Sequence, residues 1–419
     1  MKKAIYLLAF LALASSCRNN EFVDRNDENI LPAYVTEFEA ALNLPPIFPE
    51  YSRQLPFYLQ SLGMKVKPVD NGKATLGRVL FYDKNLSLDR STSCASCHKQ
   101  DRAFSDDVAF SRGINGLTGS RNSMPIANVA SFSAHYSEIG GLRPLLLWDS
   151  RAANVAEQSK LAFLNDHEIG MTMEGVADRI KEQSYYPYLW QKIYGNFEVT
   201  ESQVLECLSE FVGSIGAADS RFDRALEAAK GEIGQTQLDT LSNQEILAAI
   251  YNGDTITLPN GSGTGTVIET GGLLGFTTAE NHGRDIFVAN CSKCHSPIRS
   301  FQEVFEACNG LEMVYPDQGR GKLTGNANDN GVFKAPSLRN IALTAPYMHD
   351  GRFKTLEEVV DFYSDNVQLH PNLHPKMLHN GDPNLHLSTQ EKKELVAFLN
   401  TLTDNKIGTD NRFSNPFRQ

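Results

Sequence analysis

The stretch Ser93-Cys94-Ala95-Ser96-Cys97-His98 decides the fold, and Cys291-Ser292-Lys293-Cys294-His295 repeats its pattern late in the chain. In both copies two cysteines stand three positions apart and a histidine follows at once. Two thiols at this spacing can add across the two vinyl groups of one porphyrin, and the adjoining histidine then reaches the iron from the same side. The pattern therefore predicts two covalently bound haems of the c type.

Two other chemistries also use paired cysteines. A zinc site made of four cysteines usually brings its two pairs within about 20 residues of each other, whereas most of the chain separates these pairs. A thioredoxin-like redox pair would not require a histidine directly after both copies. Haem attachment is therefore the interpretation that the two copies favour.

The first 17 residues have the pattern of a targeting segment. Lys2 and Lys3 precede an apolar run, Ala4 to Ala14, which is too short to span a bilayer and ends in small residues, as secretory signals do. Cys17 resembles the lipidated cysteine of bacterial lipoproteins; the alternative is ordinary cleavage nearby, with Cys17 left free or removed. Both interpretations predict a periplasm-facing protein of the cell envelope, and the first predicts a lipid anchor at Cys17.

Composition narrows the class of partner. The chain has 419 residues, of which 41% are hydrophobic, and this is enough for more than one domain. The net charge of -11 argues against a nucleic-acid partner, because neutralising phosphates requires a basic surface. An acidic surface could instead steer a cationic protein partner.

Cys207 and Cys308, which lie between the signal segment and the end of the chain but outside the two motifs, carry no predicted chemistry. Cys207 lies in a helical pattern and is expected to be a small buried hydrophobe. Cys308 is expected in a loop, and a disulfide between Cys207 and Cys308 has no positive support in the sequence.

Helical periodicity appears before each motif and near the end of the chain, so that the two copies look like a loose internal duplication. Ser388 and Glu391 form a capping box, a pair that marks a helix start. The apolar residues that keep helical spacing are Leu76, Val79 and Leu80 before the first motif, Phe287 and Val288 before the second, and Leu395, Phe398, Leu399 and Leu402 in the terminal helix.

These patterns predict a mainly α fold of two cytochrome c-like haem domains with long loops, an N-terminal extension and an inserted linker. The insertion is rich in Gly, Thr, Ser and Asn, which favours loop structure. The predicted parts are a signal peptide at 1–17, a tether at 18–73, the N-terminal haem domain at 74–228, the insertion at 229–276, the C-terminal haem domain at 277–405 and a tail at 406–419.

Three separated stretches resemble one known family. They are LGRVLFYDKNLSLDRSTSCASCHKQDRAFSD from Leu76, LLLWDSRAANVAEQ from Leu145 and FKAPSLRNIALTAPYMHDGRFKTLEEVVDFY from Phe333. Together they resemble the bacterial dihaem cytochrome c peroxidases and their relative MauG, with the motifs in the family's order from about Leu76 to Leu402. The resemblance implies that peroxide reacts at the N-terminal haem and that the C-terminal haem transfers electrons.

The resemblance also implies a distal pocket at the N-terminal haem. Glu168 matches the family's glutamate that moves protons while the O–O bond breaks, a task that suits a positioned carboxyl group. The alternative for Glu168 is an ordinary surface-loop glutamate. Gln158 matches another distal position, and Ala162 stands where the family usually has proline, so the pocket shape departs from the family here.

Two further assignments follow only from the resemblance. Trp148 matches the tryptophan that lies between the two haems and helps electrons cross, although from the sequence alone it would be read as a core aromatic. Asn122, Thr344 and Pro346 match an interdomain calcium site, in which an amide oxygen and main-chain carbonyls suit a hard cation.

The axial ligands of the two irons decide the mechanism. Peroxidases of the family close the N-terminal haem with a loop histidine, but this chain has no histidine between His98 and His135. Met124 is the one soft candidate in that interval and belongs to a stretch that resembles a structural motif. The N-terminal haem is therefore predicted to be five-coordinate or water-ligated.

For the iron held by His295, two ligands compete. Peroxidases of the family place a methionine opposite the histidine, which matches Met348, whereas MauG has a tyrosine, which matches Tyr363. Thr355 and Glu358 form a capping box before Tyr363, so that Tyr363 is expected on one apolar helix face. Tyr363 is the favoured ligand, with Met348 as the alternative.

Three functions follow from these assignments. The leading one is a peroxidase that reduces hydrogen peroxide to water with electrons from a small donor protein, a cytochrome c or a cupredoxin. The second is MauG-like oxidation of side chains in a partner protein. The third is a dihaem electron carrier without catalysis, which requires both irons to be blocked; the resemblance also allows a homodimer.

Overall fold

The computed structural model describes residues 32–45, 47–52, 55–56, 59–60, 66, 68–128, 146–232, 256–258, 266–268, 273, 275–295 and 306–418. The predicted signal segment with Cys17, most of the predicted insertion, and His135 lie outside these residues. Within them, no helix is long and apolar enough to cross a membrane.

Helices dominate the structure, which confirms the predicted mainly α fold class. The α-helices are α1 Pro32–Ala41, α2 Asn71–Tyr82, α3 Cys94–Cys97, α4 Val155–Leu164, α5 Met173–Glu182, α6 Tyr186–Tyr194, α7 Glu201–Ser214, α8 Arg221–Glu232, α9 Thr278–Asn290, α10 Gly321–Thr324, α11 Leu356–Asp365 and α12 Thr389–Asn400. Short antiparallel pairs join β1 Ile256–Leu258 to β2 Thr266–Ile268, and β3 Glu306–Cys308 to β4 Val332–Lys334.

Each half of the protein is built on one close helix crossing. In the N-terminal half, α2 crosses α7 at Gly77, where an added Cβ would overlap the carbonyl oxygen of Cys207. In the C-terminal half, α9 crosses α12 at Gly283, where an added Cβ would overlap the carbonyl oxygen of Glu394. Only a residue without a Cβ allows two helix backbones to approach this closely.

The same aromatic pair packs beside each crossing. Phe81 and Phe211 have ring centroids 5.2 Å apart in the N-terminal half, and Phe287 and Phe398 have the same separation of 5.2 Å in the C-terminal half. In both halves the first phenylalanine follows the crossing glycine by one helical turn. The two halves are therefore copies of one helix-crossing unit, each leading into a Cys-Cys-His motif.

The helix starts follow the sequence signals. The capping boxes predicted from Ser388 with Glu391 and from Thr355 with Glu358 are both present. A third capping box, Thr277 with Glu280, begins α9 at the edge of the predicted C-terminal domain. These caps satisfy main-chain donors that the first turn of a helix would otherwise leave unpaired.

The two extra cysteines behave differently from each other. Cys207 is fully buried in α7, which confirms the expectation for it. The expectation of a loop at Cys308 is wrong, because Cys308 ends strand β3 and pairs with Val332 of β4. Both cysteines are free thiols.

Residues 406–418, assigned from the sequence to a tail, pack into the N-terminal half. Phe413 is fully buried, and its ring centroid lies 6.3 Å from that of Phe104. The Arg78 side chain donates to the carbonyl oxygen of Ser414 at 2.6 Å, and the Tyr82 hydroxyl donates to that of Phe413 at 2.7 Å. Phe413 is therefore part of the core of the N-terminal half.

Candidate active site

The first Cys-Cys-His motif is held by a single turn of helix. Ser93 and Ser96 form a capping box around α3, whose two ends are Cys94 and Cys97. His98 follows, and its Nδ1 lies 2.8 Å from the carbonyl oxygen of Phe104. Because a carbonyl can only accept, Nδ1 carries the proton, and Nε2 keeps a free lone pair for a metal.

A strained turn supplies the carbonyl that orients His98. Ala103 and Phe104 both have left-handed backbone conformations, with φ of 50° and 61°. Non-glycine residues adopt this conformation at an energetic cost, and such strain clusters at functional sites. The fold of this turn keeps the Phe104 carbonyl in line with the imidazole of His98.

The second motif repeats this arrangement. His295 follows Cys294, and its Nδ1 lies 3.0 Å from the carbonyl oxygen of Pro336. Burial lowers the pKa of His98, and it lowers that of His295 to about 4. A neutral imidazole with Nε2 free is the form that binds haem iron, so both donor sets fit haem c.

Glu168 lies close to the first motif. Burial raises the pKa of the Cys94 thiol to about 12, and the nearby charges of Cys97 and Glu168 add to that rise. Burial also raises the pKa of Glu168 itself, although a 2.7 Å hydrogen bond from the Asn165 amide opposes the rise. The Glu168 carboxyl is therefore a half-buried group with a raised proton affinity, close enough to Cys94 and Cys97 for its charge to raise the pKa of both thiols.

The loop that carries Glu168 is fixed by its main chain. The Ile114 amide donates to the carbonyl oxygen of Glu168 at 3.1 Å, and the Glu168 amide donates to that of Asn165 at 2.9 Å. Helix α4 ends directly before this loop and carries Gln158 and Ala162, both half-buried. The structure thus places the predicted distal residues on α4 and on the loop that follows it.

Met124 lies on the proximal side of the first motif. The hydroxyl oxygen of its neighbour Ser123 lies 3.4 Å from Nδ1 of His98. That side of the imidazole faces away from the atom that would bind iron. The five-coordinate or water-ligated state of the iron at His98 stays a prediction.

Trp148 lies at the contact between the two halves. Its indole Nε1 donates to the carbonyl oxygen of Asn122 at 2.9 Å, and its own carbonyl oxygen accepts from the Lys334 amide at 2.8 Å. Its ring lies edge-on to that of His349, with centroids 6.5 Å apart. Trp148 also lines the cavity that contains His295.

Arg121 forms ion pairs across the same contact, and sequence reasoning missed this residue. Its guanidinium lies 2.5 Å from Asp149, beside Trp148, and 2.5 Å from Asp317 of the C-terminal half. Arg121 and Asp317 are 196 residues apart, so no spacing pattern in the sequence could indicate that they form an ion pair. This shared ion pair stabilises the orientation of Trp148 between the halves.

The three predicted calcium ligands line one cavity. Asn122, Thr344 and Pro346 all border the space that contains His295. The Asn122 amide nitrogen donates to the carbonyl oxygen of Val108 at 3.2 Å, which leaves the amide oxygen directed elsewhere. None of these side chains carries a charge, and the calcium site stays a prediction.

Both candidate ligands of the second iron border the cavity with His295. The amide nitrogen of Asn309 lies 3.2 Å from the Tyr363 hydroxyl and 3.9 Å from the Met348 sulfur. The Asn309 amide oxygen accepts from the Leu311 main chain at 3.2 Å, and this contact orients the side chain. Burial raises the pKa of Tyr363 to about 12, and the Asn309 hydrogen bond opposes that rise.

A family model described as di-haem cytochrome c peroxidase matches residues 71–231. The cytochrome c551 peroxidase of Nitrosomonas europaea is 28% identical over 344 residues, which cover 81% of this chain and 82% of that protein. MauG of Methylorubrum extorquens, a methylamine utilization protein, is 28% identical over 341 residues, which cover 81% of this chain and 80% of that protein.

Solved structures show the same architecture. A MauG-like protein associated with microbial copper homeostasis matches with a TM-score of 0.64 and 27% identity, over 88% of this chain and 98% of that one. The diheme peroxidase BthA of Burkholderia thailandensis matches with a TM-score of 0.57 over 84% of this chain and 91% of that one, but at 18% identity this likeness shows the fold alone.

Proposed function

Because the chain belongs to the dihaem cytochrome c peroxidase and MauG family, we propose that it reduces hydrogen peroxide to water with electrons from a small redox protein. The observation that carries this proposal is that His98 and His295 have matching Nδ1 hydrogen bonds but different surroundings. Glu168 lies only at the motif of His98, whereas Tyr363 and Met348 border the cavity of His295. One site therefore resembles a reaction site and the other a closed electron-transfer site.

Each motif would hold one covalent haem. Cys94 and Cys97 would form the thioethers at the first site, and Cys291 and Cys294 would do so at the second. His98 and His295 would supply the proximal nitrogen ligands. When bound, haem supplies the redox-active iron at which peroxide is reduced.

Glu168 would be the proton-transfer group. Reduction of one hydrogen peroxide consumes two electrons and two protons and yields two waters, so a proton must leave the near oxygen and reach the departing one. A carboxyl with a raised pKa can accept the first proton and return it. Asn165 would hold the carboxyl in place, and Gln158 would add a polar group to the same pocket.

Trp148 would carry electrons between the halves. Its ring is held by one hydrogen bond from its indole nitrogen and one to its main chain, so its orientation is fixed. An oxygen-ligated calcium at Asn122, Thr344 and Pro346 would rigidify the same region, since the Asn122 carbonyl accepts the indole hydrogen bond.

The predicted export signal at residues 1–17 indicates the compartment in which the reaction would take place. The chain would face the periplasm with a lipid anchor at Cys17, and its donor would be a small cytochrome c or cupredoxin. The net charge of -11 favours a donor with a basic face. Pairing of two chains would be compatible with this arrangement.

The resting protein should contain one high-spin and one low-spin ferric haem. The physical reason is that the first site has no protein ligand predicted opposite His98, whereas the second has Tyr363 or Met348 available. Electron paramagnetic resonance of the full-length diferric protein measures this, and the test is completed by donor-dependent peroxide turnover. Low-spin signals only, both in the diferric protein and after reduction of one haem, would remove the peroxidase proposal.

A second function, oxidation of side chains in a partner protein, is favoured by one observation. The Tyr363 hydroxyl borders the cavity with His295, and a tyrosine at this position matches MauG rather than the family's peroxidases. Substrate oxidation driven by peroxide alone, without a donor protein, would support this function over the first.

Replacing Tyr363 by phenylalanine should abolish the low-spin spectrum of the second haem and raise its reduction potential. A phenolate is a hard anionic ligand that stabilises ferric iron, so its loss favours the ferrous state. Spectroelectrochemical titration measures both effects, with Met348→Leu as the matched control. If Met348→Leu changes the spectrum and Tyr363→Phe does not, Met348 is the ligand.

A further inference from the structure

Lys334 is a buried cation that faces a cavity. It ends strand β4, its residue is only 4% exposed, and its side chain borders the space that contains Cys291, Cys294 and His295. Its cross-strand neighbour Glu306 is paired with Arg320 instead, at 2.7 Å. Within the described residues, no carboxylate or hydrogen-bond acceptor is paired with the Lys334 ammonium group.

An unpaired buried ammonium group is costly. Transferring a charge from water into a protein interior costs several kcal/mol unless an opposite charge compensates it. Arg339, which is equally buried, shows the usual solution, because it pairs with Asp223 at 2.9 Å. Burial lowers the pKa of Lys334 to about 8, because no anionic side chain among the described residues offsets its loss of hydration.

The lining of the cavity indicates the charge of that partner. Lys334 and Lys376 border it together with three histidines, and no aspartate or glutamate is among its described lining residues. A cavity with cationic and apolar walls but no carboxylate suits an anionic ligand with a large apolar body. Haem has this chemistry, because it carries two propionate carboxylates on an apolar macrocycle.

We propose that Lys334 binds a propionate carboxylate of the C-terminal haem and thereby sets the reduction potential of that haem. The inference rests on the proposed function only in requiring a haem at Cys291, Cys294 and His295. Lys334 is a positioning residue here, since it acts on the iron through the carboxylate. Its amide hydrogen bond to the Trp148 carbonyl oxygen ties this charge to the contact between the halves.

The sign of the effect follows from electrostatics. A positive charge near haem favours the ferrous form, which carries one positive charge fewer than the ferric form. Removing that charge should therefore lower the potential, and a conservative replacement should preserve it. A residue with a purely structural role would not move the potential in this charge-dependent way.

The test uses the full-length holoprotein with Lys334→Met and Lys334→Arg. The control is Lys322→Met, which also removes one lysine but at an exposed position of α10. For Lys334→Met we expect the reduction potential of the C-terminal haem to fall by about 59 mV, which is a tenfold shift of the one-electron equilibrium toward the ferric form. The propionate bending mode in resonance Raman spectra should shift as well. Lys334→Arg and Lys322→Met should stay close to the wild type.

Several results would overturn the assignment. One is a Lys334→Met protein with full haem content whose potential and propionate mode equal those of the wild type. Another is a wild-type potential that follows the concentration of added acetate, since a soluble anion would then occupy Lys334. If Lys334→Met loses the second haem, Lys334→Arg must recover it, or the carboxylate contact is wrong.

These readouts are separate from catalysis. A protein with two haems but no peroxide turnover would end the peroxidase proposal and still give a clear answer on Lys334. Conversely, an unchanged potential in Lys334→Met beside normal turnover would end only the propionate assignment.

Discussion

Replacing Glu168 by glutamine should lower peroxide turnover by about 10²- to 10⁴-fold while both haems remain bound, which is the usual range for loss of a proton-transfer group. Glutamine keeps the shape and can still accept the hydrogen bond from Asn165, but it cannot take up and return a proton. Steady-state turnover with a reduced donor protein measures the loss, and absorption spectra measure the haem content.

The pH dependence of turnover should report the same group. Burial raises the pKa of Glu168, so its proton-accepting carboxylate form is lost as the pH falls through a value above the ordinary glutamate range. Wild-type activity should therefore have an acidic limb in that range, and Glu168→Gln should lack it. Glu174→Gln, on the exposed start of α5, is the matched control and should keep both the rate and the limb.

A Glu168→Gln protein with undiminished turnover would exclude the assigned role. Glu168 would then be better described as a surface-loop glutamate. If Glu168→Gln loses the N-terminal haem, Glu168 instead stabilises the pocket. The variant Glu168→Asp, which keeps a shorter acidic side chain, must then restore partial turnover, or the proton-transfer role is wrong.

Replacing Gly77 by alanine should lower the free energy of unfolding by about 1–3 kcal/mol or more, the usual cost of overpacking a core. The added methyl group would overlap the Cys207 carbonyl and crowd Phe211, so α2 and α7 would have to separate. Gly283→Ala should have the same effect at the crossing of α9 and α12. Denaturant unfolding followed by haem absorbance measures both losses.

Gly213→Ala provides a control within α7 itself. Among the described residues, no atom outside its own stretch of helix backbone lies within 4 Å of the position that its Cβ would occupy, so alanine should be neutral or stabilise the helix by about 0.5–1 kcal/mol. If Gly77→Ala proves as stable as Gly213→Ala, the close helix crossing is not what holds the N-terminal half together.

Features that depend on neighbouring residues were predictable. The Cys-Cys-His motifs, the mainly α fold class and the capping boxes at Thr355 and Ser388 involve residues within one or two turns of each other. Cys308 was placed wrongly because a strand of three residues has too little periodicity to distinguish it from a loop, and its partner β4 lies far along the chain.

The resemblance to a known family supplied residues that spacing could not. Glu168 and Trp148 have no local pattern that separates them from a loop glutamate and a core aromatic. In the structure, Glu168 lies beside Cys94 and Trp148 lies at the contact between the halves. Their catalytic and electron-transfer roles stay predictions that the experiments above test.

The sequence by itself determined which residues are predicted to attach haem, because two thiols and an imidazole that serve one porphyrin must be adjacent along the chain. Tertiary structure alone decided what surrounds them. Phe413 packs into the core beside Phe104, and Arg121 pairs with both Asp149 and Asp317. Lys334 is buried and borders the cavity that contains His295. Burial and charge pairing arise between residues distant in the chain, and only the folded backbone brings them within reach of each other.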